Sequence, residues 1–103
     1  MKHMVRIQIT PQAGPDLEAR PGGPGPLIGR IVDRFRPETF HISPARRELY
    51  MVCNLEPADM AELMLAAVRF SGQYPDFNPV IDGKEFGAIV GKAMPAAKQL
   101  VDG

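Results

Sequence analysis

A chain of 103 residues has room for one domain, and one this short buries only about 60–70% of the surface its unfolded form exposes, so its stability margin is thin. An apolar content of 45% excludes a disordered chain, and twelve basic residues balanced by twelve acidic ones exclude a general electrostatic pull toward nucleic acid or an anionic membrane. Cys53 is the single cysteine, so an intrachain disulfide is impossible. The N-terminus lacks the apolar run of a signal peptide, and the longest apolar stretch, Leu63 to Val68, is far too short to cross a bilayer. The expectation is a soluble cytoplasmic protein with no membrane and no nucleic-acid partner.

Met4 to Thr10 alternates strictly, with Val5, Ile7 and Ile9 on one face, and predicts a half-buried strand. Residues 11–25 crowd proline and glycine together and predict a long loop with no regular element, either a mobile connector or a lid. Pro26 suits the first turn of a helix, and Leu27, Ile28, Ile31, Val32 and Phe35 follow at helical spacing until Pro37 stops it at Arg36. Thr39 to Ser43 and Leu49 to Leu55 predict a hairpin turning through Pro44 to Glu48. Pro57 opens a second helix that Gly72 caps. Phe77 to Ile81 predicts a fourth strand, and Pro79 assigns it to a sheet edge or a bulge. Asp82 and Glu85 have the spacing of a capping box for a third helix with the stripe Phe86, Ile89, Val90 and Ala93, which Pro95 is expected to kink or end.

The order β-α-β-β-α-β-α is the ferredoxin-like, split βαβ pattern in an α+β domain covering 1–103, with an extra C-terminal helix. Alternation places Val5, Ile7, Ile9, Phe40, Ile42, Met51 and Cys53 under the helices. The other face carries Met4, Arg6, Gln8, Thr39, His41, Tyr50, Val52, Asn54, Asn78 and Val80. That mixture of aliphatic, aromatic and hydrogen-bonding groups suits a dimer interface or a ligand cavity.

Topology, length and the final helix resemble the dimeric α+β barrel superfamily, in which two ferredoxin-like domains set their sheets together as a barrel with the helices outside. Arg36-Pro37-Glu38, the hairpin after it, and Phe77-Asn78-Pro79-Val80 ahead of an acidic helix start look similar to short bacterial members. The superfamily includes muconolactone isomerase-like, ethyl tert-butyl ether degradation-type and cofactor-free monooxygenase proteins. The resemblance implies a homodimer and a range of cofactor-independent isomerase, cyclase or oxygenase chemistry. No catalytic signature of a named subfamily is present, and no catalytic residue is carried over.

From the residues themselves, Arg6, His41 and Tyr50 are the candidates for chemistry on the open face: a positive group, a base and a donor able to polarise a carbonyl or enolate. The competing reading is a satisfied polar cluster at a dimer contact. Asn54 and Gln8 on the same face, with Met60 and Met64 one turn apart on the second helix, are candidate ligand contacts. Cys53 has no activating neighbour in sequence and reads as a small buried hydrophobe. His3 lies in Met1-Lys2-His3-Met4, which has the look of a vector junction, and is assigned no chemistry.

Two histidines and one cysteine form no metal-ligand spacing, so no metal and no cofactor is expected. Gly23-x-Gly25-x-x-x-Gly29 has the wrong spacing for a phosphate loop, and Pro24 and Pro26 remove amide donors it would need. Arg46-Arg47 at the hairpin tip reads either as a phosphate contact or as a solvated basic pair. An RNA-recognition surface would need stacking aromatics on the central strands, where only Tyr50 qualifies. The functional expectation is a homodimer binding a small, largely apolar metabolite; the alternative is a non-catalytic dimeric accessory or interaction module.

Overall fold

The computed structural model describes residues 1–103. Strand β1 (Lys2–Gln8) leads into α1 (Gly14–Glu18) and α2 (Gly25–Phe35), followed by β2 (Thr39–Ile42), β3 (Glu48–Asn54), α3 (Pro57–Ser71), β4 (Asp76–Pro79) and α4 (Gly83–Asp102). The four strands form one antiparallel sheet in the order β2-β3-β1-β4. This α+β arrangement is compatible with the ferredoxin-like expectation. No helix is long and apolar enough to cross a membrane.

One face of the sheet holds the core. Val5, Ile7, Leu49, Met51 and Cys53 pack with Ile31 of α2 and with Leu63, Ala67 and Phe70 of α3. Alternation along β1 and β3 produces this division, and Phe40 and Phe77 extend it onto the edge strands. Cys53 is fully buried, and desolvation pushes its thiol up from the ordinary range, helped by the nearby charge of Glu38. Arg34 ties the two packed helices together: its guanidinium reaches Asp59 at 3.1 Å and Glu62 at 2.9 Å.

Proline and glycine set the boundaries. Arg36 takes a left-handed φ of 46°, because Pro37 disfavours the right-handed helical region for the residue before it. Gly72 caps α3 at φ 83°, with Thr10 Oγ1 only 2.7 Å from where a Cβ would stand. Pro79 ends β4, an edge strand paired only with β1, so its missing amide breaks no ladder.

Several expectations are corrected. The loop at 11–25 is not free of regular structure: α1 forms within it and buries Leu17 to 5% exposure. Strand β1 begins at Lys2, and His3 is a buried member of it, its Nδ1 2.9 Å from the Met1 carbonyl. Ile9 and Ile42 keep the helix-side face that alternation gives them but lie at its open end, Ile9 half-buried beyond the strand end and Ile42 54% exposed.

The capping box at Asp82 does not form, since Asp82 makes no side-chain cap bond. The box is at α3 instead, where Asp59 Oδ2 accepts the Glu56 amide at 2.9 Å and the Glu56 side chain returns the favour. Pro95 does not end the last helix, which runs on to Asp102. The carbonyl that loses its partner is that of Gly91, in a stretch exposed to solvent. Finally, the stripe Phe86, Ile89, Val90 and Ala93 covers no core, for α4 buries none of its residues.

Candidate functional site

Two places bring chemistry together. The first is a row across the open sheet face, where register aligns His41, Tyr50, Arg6 and Asp76, one from each strand. Glu48, two residues before Tyr50 and opposite Gln8, adds a carboxylate that is only 3% exposed. Its Oε1 accepts from Arg6 Nη2 and its Oε2 from the Tyr50 hydroxyl. Arg6 Nη1 also meets Asp76 Oδ2 at 2.9 Å. Gln8 anchors the far side: its backbone carbonyl and Oε1 accept from Gln73 Nε2 at 3.0 and 3.2 Å.

The ionisation follows from these bonds. The Tyr50 hydroxyl, then Arg6, hold the Glu48 carboxyl below the usual carboxylate range. Reciprocally, Glu48 raises the Tyr50 phenol and, with Asp76, keeps the Arg6 guanidinium charged. Two carboxylates therefore engage the one guanidinium, and the Tyr50 proton is committed to Glu48. His41 is exposed beside Tyr50, and its ring makes no hydrogen bond. Asn54 is exposed at the end of β3, one row beyond Val52.

The second place is a cleft of about 180 Å³ at one end of the helix-covered side. Ile9, Leu17, Ile28, Ile42 and Leu49 form its apolar lining, and Glu18, Arg46 and Arg47 stand around it. The segment expected to be a plain loop builds one wall. Arg47 crosses to it, pairing with Glu18 at 2.6 Å and lying so close over Gly14 that a Cβ there would meet its Nη1 at 1.6 Å. Only glycine permits that approach. Arg46 is exposed and its guanidinium has no partner.

The structure thus joins Arg6, Tyr50, His41 and Gln8 on one face and leaves Asn54 at its margin. It does not bring Met60 or Met64 to either place: Met60 packs against the core and Met64 is half-buried on α3. Sequence reasoning missed Glu48 by assigning it to the turn, although alternation from Tyr50 back to Glu48 puts both on one face. Gln73 and Asp76, just before and at the start of the fourth strand, carried no comparable signal. No group of three or more histidine, cysteine, aspartate or glutamate side chains is placed to hold a metal ion. No protein-family model, curated protein or solved structure matches this chain.

Proposed function

We propose that this protein binds a small, mostly apolar molecule bearing one acidic group in the cleft beneath α1, and that it does so as a homodimer of the dimeric α+β barrel type. The observation that carries the reading is the cleft itself, with five aliphatic side chains inside and the unpartnered Arg46 guanidinium at its edge. Its 180 Å³ is close to the roughly 150 Å³ apolar cavity that takes up benzene, so the occupant is a single ring or a short chain. A planar guanidinium is the side chain best shaped for a carboxylate at the exposed end.

The homodimer is supported by the uncovered sheet face. Met4 is 44% exposed there, beside half-buried Val52 and the Arg6–Glu48–Tyr50 network. Nothing else in the chain covers it, and its mixed polarity matches an interface better than a solvated surface. Two such faces set together would enclose the row that ends in His41.

A second reading, cofactor-independent catalysis in that enclosed row, is favoured by one observation: buried Glu48 fixes both Tyr50 and Arg6 next to an uncommitted His41. There His41 would take a proton from the substrate. Binding is preferred because the Arg6 charge and the Tyr50 proton are already engaged.

Titration of the ¹⁵N-labelled protein with benzoate, phenylacetate and hexanoate tests the proposal. Saturable amide shifts are expected at Gly14, Leu17, Ile42 and Ser43. Arg46→Gln should weaken carboxylate binding about tenfold while leaving benzamide unaffected. Shifts centred on His41 and Tyr50 would move the site to the sheet face, and no saturable shift at either place would overturn small-molecule binding for this ligand class.

A further inference from the structure

We propose that α4 is an exchanged arm, packing in solution across a second copy of this chain. The proposal rests on the homodimer reading above and adds an interface to it. The first observation is how completely the helix sorts its side chains. Phe86, Val90, Ala93, Ala97 and Leu100 recur at alternating steps of four and three, the seam of a packed helix. Ile89, Met94, Ala96 and Val101 flank that seam on both sides. Every charged residue of α4 (Lys84, Glu85, Lys92, Lys98 and Asp102) lies on the remaining face, together with Pro95. A face this wide is that of a helix buried against a broad surface, not one bathed in water.

The second observation is that α4 meets no such surface in its own chain. Phe86 is 60% exposed, Leu100 86% and Val101 81%, and the helix buries nothing. Twenty residues make a rod about 30 Å long. It accounts for a longest dimension of 57 Å and a radius of gyration of 17.4 Å, against about 13 Å for a compact chain of this size. Folding back is obstructed at its root. The Val80 amide is bonded to the Lys2 carbonyl at 3.0 Å, and only Val80–Asp82 separate β4 from α4.

A second copy is the occupant that position and area favour. Helix α4 departs from β4, a free sheet edge, and in a barrel pairing that edge borders the partner. A strip about 30 Å long and about 10 Å wide, covered on both surfaces in two symmetric copies, removes about 1,200 Å² from water. That reaches the lower bound for a specific, stable interface before any contribution from the sheet faces.

Sedimentation of the full chain over a dilution series, beside the variants Val90→Glu/Ala93→Glu and Val52→Glu, tests this. The wild type is expected to be a dimer, and the α4 variant should raise its dissociation constant at least about a hundredfold with an unchanged circular dichroism spectrum. Both substitutions are on a helix outside the core, so folding is not at stake. A spin label at Lys92→Cys, on the charged face beside the seam, in one copy should broaden amides outside α4 in a ¹⁵N-labelled unmodified copy. A monomeric wild type, or an α4 variant that dimerises like the wild type, would overturn the arm. A monomer that binds anionic phospholipid vesicles would assign the face to a membrane surface and overturn it equally. If Val52→Glu dimerises normally while the α4 variant does not, the arm stands and the sheet pairing falls; the reverse pattern keeps the sheet pairing alone.

Discussion

Leu17 is the one apolar side chain that α1 buries, and its truncation measures how firmly that segment is held over the cleft. The side chain is 5% exposed and lines the cleft beside Ile9 and Ile28. Leu17→Ala removes three buried carbons at about 0.8 kcal/mol each, a loss of about 2 kcal/mol. No large cavity penalty adds to this, because the deleted atoms open into a space that already exists. Fully enclosed Leu63 differs, and Leu63→Ala should cost about 3–4 kcal/mol.

The two losses should also appear in different places. The α1 segment is fastened mainly by short-range bonds, such as the Leu17 amide to the Ala13 carbonyl at 3.2 Å and the Ala19 amide to the Pro15 carbonyl at 3.0 Å. Losing about 2 kcal/mol there should raise local opening about thirtyfold, read as faster hydrogen exchange at Leu17 and Ala19, with little change in the urea midpoint. Leu63→Ala should shift the urea midpoint and leave that local ratio unchanged. Unchanged exchange in Leu17→Ala would refute the clasp, and a midpoint shift equal to that of Leu63→Ala would make the segment part of the core.

Gly72→Ala should destabilise by about 1–2 kcal/mol from its φ of 83° alone, and more from the Thr10 contact, whereas Gly29→Ala, in open space within α2, should stabilise by up to about 1 kcal/mol; paired thermal melts check both. Glu48 has a depressed folded pKa, so its stabilisation is present above the unfolded carboxylate value near 4.5 and is lost as pH falls through the lower folded value. Tyr50→Phe removes the largest cause of that depression and should flatten the loss of stability below pH 4.5, measured by urea unfolding across pH. Cys53, buried and with a raised pKa, should react with a thiol reagent at the rate of protein opening; rapid labelling of the native protein would contradict its enclosure.

The parts legible in the sequence are those governed by short-range periodicity. Alternation in Val5, Arg6 and Ile7 sorted the faces of β1, prolines 26, 37 and 57 marked helix ends to within about a residue, and Pro79 marked β4 as an edge strand, although that strand covers Asp76–Pro79 and not Phe77–Ile81. What stayed illegible depends on contacts between distant segments. Gly14 and Leu17 look like loop residues until Arg47 and Ile9 arrive beside them from the hairpin and the end of β1. The α4 stripe has the pattern of a core helix, and pattern alone does not say which chain supplies the core. Alternation places Arg6, His41 and Tyr50 on one face, but the partners that engage Arg6 and Tyr50 are Glu48, read as a turn residue, and for Arg6 also Asp76, read as lying outside the fourth strand.

Glu48 connects the two candidate places. It contributes to the cleft lining, while its carboxylate faces Arg6 and Tyr50 in the row on the open sheet. Arg46, at the edge of the cleft, also helps to keep that carboxylate ionised. An anion settling beside Arg46 would screen that positive charge from Glu48, weakening the support of the ionised form from the cleft side. The Tyr50 and Arg6 hydrogen bonds outrank the Arg46 field, so the network would persist with an occupant bound. The residue the sequence hid in a turn is therefore the one that touches both the cleft and the network on the open sheet face.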